Sequence, residues 1–263
     1  LYDLFGQMYG APLYKLLGGG DNMILTDITI SVDYIDKMVE DARMALDQGF
    51  ETLKLKVGKD PALDIERIKA VYAAVGDRAL IRLDANQGWT PKQAVRVMRA
   101  LEESGVSLEL VEQPVCGEDI DGMKYVNERV DTPVMADESS FGPREAMEVI
   151  NHRAAEIINI KLMKTGGISN AIKVADMAGT FGAKCLIGCM LESSIGVAAA
   201  AHVAAAKSNE ITMVDLDAPS LCASDPVKSG VTFNRSEITI SSEAPGLGIT
   251  AVDGLEMLDV RVE

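Results

Sequence analysis

Strand-like and helix-like segments alternate along most of this 263-residue chain, and their spacing constrains its fold more than any other feature. The centres of the strand-like segments recur roughly every 25 to 29 residues, which is the length of one strand–loop–helix unit. Eight strands are predicted in this way, at residues 27–32, 52–57, 79–83, 108–111, 133–136, 157–161, 184–189 and 212–216. Eight strands alternating with helices favour a parallel sheet that closes into a barrel. An open, doubly wound sheet is the alternative, and it is less favoured because no GxGxxG follows the first strand.

The two ends of the chain differ from this regular middle. Residues 1–20 predict two short helices that are separated by a Gly-Ala-Pro stretch and stopped by three glycines. The last part of the chain is loop-like, apart from one short alternating strand at 236–240. We therefore expect a barrel domain at 21–220, with 1–20 and 221–263 packed on it as parts of a second element. Because the chain starts inside a helical pattern, we also expect further sequence upstream.

Composition and charge exclude several classes of function. Hydrophobic residues make up 48% of the chain, which is typical of a globular protein with a full core. The formal net charge is −15, and no basic stripe is present, so we expect no nucleic-acid partner. The longest alanine-rich run is too short to span a bilayer, so we expect no membrane partner. The four cysteines form no CxxC pair, and residues 1–263 show no secretory-signal pattern, so we expect reduced thiols and a cytoplasmic location.

Acidic residues follow three consecutive predicted strands. Asp84, Glu112 and Asp137 stand where the third, fourth and fifth strands end. Taken singly, each acid is explained as well by a turn or by the cap of the next helix. Together they lie at the carboxyl ends of neighbouring barrel strands, where they would repel one another unless a cation lay between them. Carboxylate oxygens are hard ligands that suit Mg²⁺.

Lysines are the second notable feature of the strand ends. In "LKLKVG" the alternation puts Lys54 and Lys56 on one face of the second strand, which by itself leaves open whether that face meets water or the barrel interior. Lys161 ends the sixth strand, on the opposite side of the barrel. An ammonium group held near a cation and a second ammonium has its charged form disfavoured, so we expect a lowered lysine pKa. Such a lysine is usable as a base near neutral pH.

These motifs together resemble the enolase superfamily, and in particular its muconate-lactonizing-enzyme subgroup. The motifs are KxK, LDANQGW, EQP, ADES and IKxxKTGG, and the resemblance covers nearly the whole chain. It implies a TIM-type (β/α)7β barrel with remnants of an α+β capping domain at both ends of the chain. It also implies that Lys56 and Lys161 form the acid/base pair, with Lys54 as a companion that binds the substrate carboxylate. Three carboxylates are implied as ligands of a single Mg²⁺ ion, namely those of Asp84, Glu112 and Asp137.

The stretch "DLDAP" distinguishes between activities within this superfamily. Asp215 and Asp217 are two residues apart near the end of the last strand, which would place both on one face. Two carboxylates that face a substrate suit a primary ammonium group, although a loop cap explains the pair equally well in isolation. By resemblance, this pair marks the dipeptide epimerases, in which it holds the N-terminal amine. The stretches "GCMLESSIG" and "AAAAHVAAAKS" resemble that branch as well.

The resemblance therefore implies a Mg²⁺-dependent dipeptide epimerase. The reaction is a 1,1-proton transfer at the α-carbon of the C-terminal residue, through an enediolate and with two lysines. A cycloisomerase or an o-succinylbenzoate synthase on the same scaffold is the alternative. A non-catalytic module that binds metal and dipeptide is a more distant one. We expect a small-molecule dipeptide as the binding partner and a homo-oligomer as the assembly.

Further positions are weaker candidates. Thr29, in "TDITIS", stands where this family places a substrate contact, and an ordinary strand residue explains it equally well. Leu191 follows the seventh strand and lines either the pocket or the core. Glu192 is expected behind the metal ligands rather than among them. His202 lies in an alanine-rich helix and is interpreted as a packing residue, and His152 as a surface residue.

Overall fold

The structure is a computed structural model, and it describes residues 1–255. The helices are α1 (Tyr2–Tyr9), α2 (Leu13–Leu16), α3 (Ile35–Asp47), α4 (Pro61–Val75), α5 (Pro91–Glu102), α6 (Ile120–Asn127), α7 (Pro143–His152), α8 (Leu162–Thr165), α9 (Ile168–Thr180), α10 (Ser194–Ala206) and α11 (Ala218–Leu221). The strands are β1 (Met23–Leu25), β2 (Ile28–Ile30), β3 (Thr52–Lys56), β4 (Leu80–Asp84), β5 (Leu110–Glu112), β6 (Val134–Ala136), β7 (Ile157–Lys161), β8 (Lys184–Gly188), β9 (Ile211–Asp215), β10 (Val227–Ser229), β11 (Val231–Asn234), β12 (Glu237–Ile240) and β13 (Ile249–Val252).

Strands β2 to β9 form the predicted barrel. They pair in chain order, and every neighbouring pair is parallel. The first and last strands meet at a seam, where the Asp27 N–H donates to the Val214 carbonyl over 3.4 Å and the Leu216 N–H donates to Thr26 Oγ1 over 2.8 Å. A helix of at least eight residues follows each of the first seven barrel strands, but only the single turn of α11 follows β9. The (β/α)7β prediction is therefore confirmed, and the predicted strands differ from the observed ones by a few residues at their ends.

Local sequence signals explain where the helices begin. Asp60 accepts hydrogen bonds from two backbone N–H groups in the first turn of α4, and Pro61 occupies its first position. Thr90 and Gln93 form a reciprocal capping box at the start of α5. Side-chain caps satisfy N–H groups that the first turn of a helix leaves without partners. These caps set the points at which the chain turns from a strand end into the next helix.

The barrel interior is apolar on one side and charged on the other. An apolar cluster inside the barrel joins strands β5 to β9, and its members are Leu110, Met135, Ile157, Leu186 and Met213. Along the sheet from this cluster, Leu110 of β5 is paired with Arg82 of β4, and Arg82 is paired with Lys54 of β3. Both charged residues are buried, as is Asp27 next to them. Because buried charges require partners, this side of the interior must be held by ion pairs.

The C-terminal part of the described chain returns to the N-terminal helices. The Leu13 N–H donates to the Gly246 carbonyl over 2.9 Å, and the Leu247 N–H donates to Asp3 Oδ1 over 2.8 Å. Strand β12 lies between β1 and β11 in one antiparallel sheet, and β10 pairs with β13 in another. The predicted strand at 236–240 is therefore found, but the loop prediction is wrong for β10, β11 and β13. Residues 256–263 of the predicted C-terminal segment lie outside the described residues.

Helix α10 is the alanine-rich helix, and it packs against α2. Its His202 is buried, and Nδ1 of this residue accepts a hydrogen bond from the Tyr14 N–H over 2.9 Å. Burial lowers the pKa of His202 to about 4, so the ring is neutral at physiological pH. These contacts agree with the packing role expected for His202, and His152 is exposed as expected. No helix within residues 1–255 is long and apolar enough to cross a membrane.

Candidate active site

The carboxyl ends of the barrel strands surround a cavity of about 540 Å³. Eight of the ten predicted site residues line it, namely Thr29, Lys54, Lys56, Asp137, Lys161, Leu191, Asp215 and Asp217. The other two, Asp84 and Glu112, are buried beneath it and contact Lys54. The structure thus brings all ten residues to one region, at the end of the barrel where such folds carry their chemistry.

Lys54 is the most deeply enclosed cation of this region, with 3% of its surface exposed. Its Nζ lies 2.6 Å from Glu112 Oε2, 2.7 Å from Asp215 Oδ2 and 3.0 Å from Asp84 Oδ2. Burial disfavours the ammonium, but the surrounding carboxylates outweigh it and raise the pKa of Lys54. The side chain therefore stays charged and joins the acids of β4 and β5 to the acid of β9.

Lys56 and Lys161 face each other across the barrel, because β3 and β7 are four strands apart in an eight-stranded sheet. Lys56 donates to Asp84 Oδ2 over 2.6 Å and to Asn86 Oδ1 over 3.0 Å. Lys161 donates to Asp137 Oδ2 over 2.8 Å. Burial opposes the charge of Lys161, but Asp137 and Glu112 raise its pKa. The expected fall in lysine pKa presupposes a cation beside the ammonium groups, whereas the carboxylates by themselves raise the pKa of Lys161, so the expectation stays a prediction.

Asp84, Glu112 and Asp137 form what we call the three-strand cluster. Burial raises the pKa of Asp84, but Lys54 and Lys56 outweigh burial and lower it. Burial and the neighbouring Asp84 raise the pKa of Glu112 to about 8. A carboxyl group that is disfavoured as an anion in this way gains most from a nearby cation.

The three-strand cluster fits a divalent cation by its donor set. Glu112 Oε2 and Asp137 Oδ1 are buried and lie against ammonium groups, with Lys54 Nζ 2.6 Å from the first and Lys164 Nζ 2.5 Å from the second, so both carboxylates already face positive charge. The other oxygen of Glu112 accepts a hydrogen bond from Asn159 Nδ2 over 2.6 Å, which fixes the orientation of the carboxylate. Oxygen ligands oriented by a neighbouring group in this way are typical of Mg²⁺ sites.

A second group of acids lies at the seam between β9 and β2. It comprises Asp27, Asp215 and Asp217, and we call it the seam cluster. Within residues 1–255, it is the one set of three acidic, histidine or cysteine side chains whose ligand atoms all lie within 4.8 Å of one another. Arg82 pairs with Asp27 Oδ2 over 2.7 Å, and the Thr29 N–H donates to Asp217 Oδ2 over 2.8 Å.

The seam cluster corrects one expectation and adds one residue. Strand β9 ends at Asp215, and Asp217 has helical backbone angles (φ −86°, ψ −7°), so the two acids do not share one strand face. A tight turn brings them together instead. Sequence reasoning missed Asp27, although its spacing of two from Thr29 is the strand period that could have identified it. Burial and Asp215 raise the pKa of both Asp27 and Asp217.

Close packing of two loops holds Lys56 and Asp84 at the mouth of the barrel. Asp64 is fully buried on α4, and its Oδ2 accepts hydrogen bonds from the Gly58 N–H over 2.9 Å and from Trp89 Nε1 over 3.2 Å. Gly58 has a φ of +95°, and a Cβ there would lie 2.2 Å from the Ala85 carbonyl oxygen. Gly58 of LKLKVG and Trp89 of LDANQGW therefore fix the loops that follow β3 and β4.

The two weaker candidates occupy different positions. Thr29 is half-buried, and it reaches the seam cluster through its backbone N–H. Leu191 lies at the rim of the cavity, with 74% of its surface exposed, so it is not a core residue. Glu192 accepts a hydrogen bond from the Met190 N–H over 3.0 Å and is not among the residues that line the cavity.

Opposed lysines over buried carboxylates lie at the carboxyl ends of a (β/α)7β barrel, which is where enzymes of this fold carry their active sites. The family model described as "Enolase C-terminal domain-like" matches residues 37–254, and the chain belongs to this family. It is 51% identical over 253 residues to the L-Ala-D/L-Glu epimerase of Clostridium acetobutylicum, an alignment that covers 96% of this chain and 70% of that protein. It is 48% identical over 250 residues to the hydrophobic dipeptide epimerase of Enterococcus faecalis, covering 95% of this chain and 70% of that protein.

A solved structure of a relative with the same name as the first of these has a closely similar fold. The substrate-liganded complex of the L-Ala-D/L-Glu epimerase from Bacillus subtilis superposes with a TM-score of 0.93 at 49% identity. The match covers 95% of this chain and 70% of that chain. The resemblance to the enolase superfamily is therefore confirmed, and the protein is an isomerase.

Proposed function

We propose that the protein is a Mg²⁺-dependent dipeptide epimerase that inverts the α-carbon of the C-terminal residue. The observation that carries the proposal is the juxtaposition of two opposed lysines with two separate groups of buried acids. Lys56 and Lys161 reach into one cavity from opposite strands, and the three-strand cluster and the seam cluster lie beside them. The relatives that are named dipeptide epimerases support the same reaction class.

The two lysines carry out the proton transfer. One lysine removes the α-proton of the C-terminal residue of the dipeptide, which gives a planar enediolate of the substrate. The other returns a proton to the opposite face, and the stereocentre inverts. The carboxylates of Asp84, Glu112 and Asp137 would hold one Mg²⁺ ion. This ion supplies charge stabilisation for a substrate carboxylate when it is bound.

The seam cluster supplies the selectivity for a free amine. Asp215 and Asp217 line the cavity, and their carboxylates would accept hydrogen bonds from the N-terminal ammonium of the dipeptide. Lys54 links Asp215 to Glu112, so it holds the amine side and the carboxylate side of the site in one arrangement. Thr29 and Leu191 lie on the wall and the rim of the same cavity, where they would contact the substrate.

We further propose that residues 1–20 and 221–263 belong to a capping domain beside the barrel at 21–220. The hydrogen bonds between the N-terminal helices and the segment around Gly246 support this division for the described residues. A homo-oligomer and a cytoplasmic location stay predictions, and the four free thiols are consistent with a reducing compartment.

Incubation with a dipeptide library in D₂O and Mg²⁺ tests the proposed function. For at least one dipeptide, we expect one deuterium to replace the hydrogen on the α-carbon of the C-terminal residue, which raises the mass by about one dalton, together with inversion at that carbon. Lys161→Met should lower the exchange rate by about 10²–10⁴-fold, since that is the usual contribution of a positioned acid or base. Lys173→Met is the matched control, because it makes the same change at an exposed lysine. Exchange that is absent from every dipeptide would support a non-catalytic module instead.

The same assay separates the epimerase from the other enzymes of this scaffold. Substrates of a cycloisomerase or of an o-succinylbenzoate synthase have no free amine, and those reactions have no use for the seam cluster. We therefore expect Asp217→Asn to weaken turnover of dipeptides. Unchanged turnover of dipeptides by both Asp215→Asn and Asp217→Asn would contradict the amine role of the seam cluster, whereas a wild-type protein that turns over cycloisomerase substrates and no dipeptide would favour a cycloisomerase.

A further inference from the structure

The IKxxKTGG motif contains a second lysine, Lys164, for which the proposed chemistry has no use. It lies on α8, the single helical turn that follows the strand carrying Lys161. Its side chain is only 7% exposed, although it reaches the edge of the cavity. A lysine is costly to bury unless its charge is matched, so its surroundings show what holds it there.

The Lys164 ammonium group is surrounded by backbone carbonyls. Nζ donates to the carbonyl oxygen of Asp137 over 2.5 Å, to that of Ser140 over 3.1 Å and to that of Asn159 over 3.1 Å. An ammonium group has three N–H bonds, and here three carbonyls accept them. Asp137 Oδ1 is a fourth acceptor, 2.5 Å from Nζ, so all the donors are used and Lys164 is not placed as a third acid or base.

The Asp137 carboxylate is itself held by the Lys164 ammonium group. Lys164 Nζ lies 2.5 Å from Asp137 Oδ1, close enough for a strong charge interaction. The same ammonium group also donates to the carbonyl oxygen of Asp137, so it contacts both the side chain and the backbone of this residue. The positive charge therefore holds the carboxylate and its turn in one arrangement.

The Gln113 side chain holds the same turn from the other side. Its Oε1 accepts hydrogen bonds from the Asp137 N–H over 2.8 Å and from the Ser139 N–H over 3.1 Å. Its Nε2 donates to Ser139 Oγ over 2.8 Å and to the Val115 carbonyl over 2.9 Å. Gln113 is fully buried. Gln113 thus accepts hydrogen bonds from N–H groups of the turn at 137–140, and Lys164 donates to carbonyl oxygens of the same turn.

We propose that Lys164 and Gln113 are positioning residues that clamp the turn at 137–140 and hold Asp137 as a metal ligand. The inference rests on the proposed function, in which Asp137 binds the metal. It assigns roles to the glutamine of EQP and the second lysine of IKxxKTGG. Partners that orient a metal ligand typically change metal affinity by about 10–100-fold when they are removed.

Direct titration with Mn²⁺, followed by electron paramagnetic resonance and without dipeptide, tests this role. We expect Lys164→Met and Gln113→Met each to weaken Mn²⁺ binding by about 10–100-fold. Lys173→Met makes the same chemical change on the surface and should leave the affinity unchanged. Circular dichroism establishes whether each variant is folded. If Lys164→Met does not fold, Gln113→Met decides the question.

Turnover as a function of metal concentration separates positioning from catalysis. Saturating metal should restore most of kcat in Lys164→Met, whereas Lys161→Met should stay inactive at every metal concentration. Wild-type Mn²⁺ affinity in the folded variants would overturn the positioning role and leave the proposed function intact. A kcat that saturating metal does not restore would also overturn it. A wild-type protein that binds no Mn²⁺ would overturn the metal assignment together with this role.

Discussion

The three-strand cluster and the seam cluster each hold three buried carboxylates at the same barrel mouth, but their partners differ. Lysines from β3 and β7 reach the three-strand cluster, with Lys56 paired to Asp84 and Lys161 paired to Asp137. The seam cluster is held by Arg82, by the Thr29 N–H and by Lys54, which also reaches the three-strand cluster. A lysine loses a proton more readily than a guanidinium, and the two opposed lysines, Lys56 and Lys161, pair with the three-strand cluster alone.

The comparison shows that oxygen spacing alone does not identify a metal site. By spacing, the seam cluster is the tighter group, since its ligand atoms lie within 4.8 Å of one another. By partners, the three-strand cluster has the greater share of lysine contacts, since Lys54 Nζ lies 2.6 Å from Glu112 Oε2 and Lys164 Nζ lies 2.5 Å from Asp137 Oδ1. Lys54 pairs with members of both clusters, so the charge of each influences the other.

The largest expected effect is on Mn²⁺ affinity, which should fall when the three-strand cluster loses an acid and stay nearly unchanged when the seam cluster does. Asp137→Asn should weaken Mn²⁺ binding by more than the ~100-fold expected from an outer partner, because it removes an anionic ligand. Asp27→Asn is the matched change in the seam cluster and should leave the Mn²⁺ dissociation constant within a few-fold of wild type. Direct Mn²⁺ titration measures both. The reverse pattern would assign the metal to the seam cluster.

The next effect concerns the substrate amine. Asp217→Asn should raise KM for a dipeptide by about 10–100-fold at saturating Mg²⁺, since a hydrogen bond to a charged group contributes about 1.5–3 kcal/mol. The asparagine oxygen still accepts the hydrogen bond from the Thr29 N–H, so the turn should survive. An N-acetylated dipeptide is the control, and its turnover should be equally poor with both proteins. A variant that discriminates between the two substrates as well as wild type does would exclude the amine role.

Most of the barrel could be predicted from the sequence because its signals are local. Each barrel strand is an apolar segment followed by a capped helix, and this period survives in a single sequence. Strand β1 and the strands β10, β11 and β13 could not be predicted in this way. They are three or four residues long and largely exposed, so their pairing partners rather than their own composition define them.

The site was predictable where its residues end strands, and less so elsewhere. Lys56, Asp84 and Lys161 are strand termini, and a strand terminus in a barrel has a known location. Asp27 and Lys164 were missed because their function follows from what they contact. Lys164 binds backbone carbonyls, which leave no mark on the sequence. The direction of the Lys161 pKa also depends on the balance of neighbouring charges, which spacing does not give.

The smallest expected effect is a difference in acid sensitivity. Burial and Asp215 raise the pKa of Asp217, so this carboxyl group takes up a proton at a higher pH than an ordinary aspartate, whose pKa is about 3.9. As the pH falls, the substrate ammonium therefore loses one of its anionic partners, and KM for the dipeptide should rise.

Steady-state kinetics from pH 8 down to the limit of folding would measure this rise, with Mg²⁺ saturating at every pH. Saturation is needed because Glu112, with a pKa of about 8, makes metal binding itself sensitive to pH. Asp84 and Asp137 have lowered pKa values and stay ionised over this range. In Asp217→Asn the acid rise in KM should be reduced, because the titrating group is absent. If KM increases equally in both proteins as the pH falls, protonation of Asp217 is not the cause of the increase.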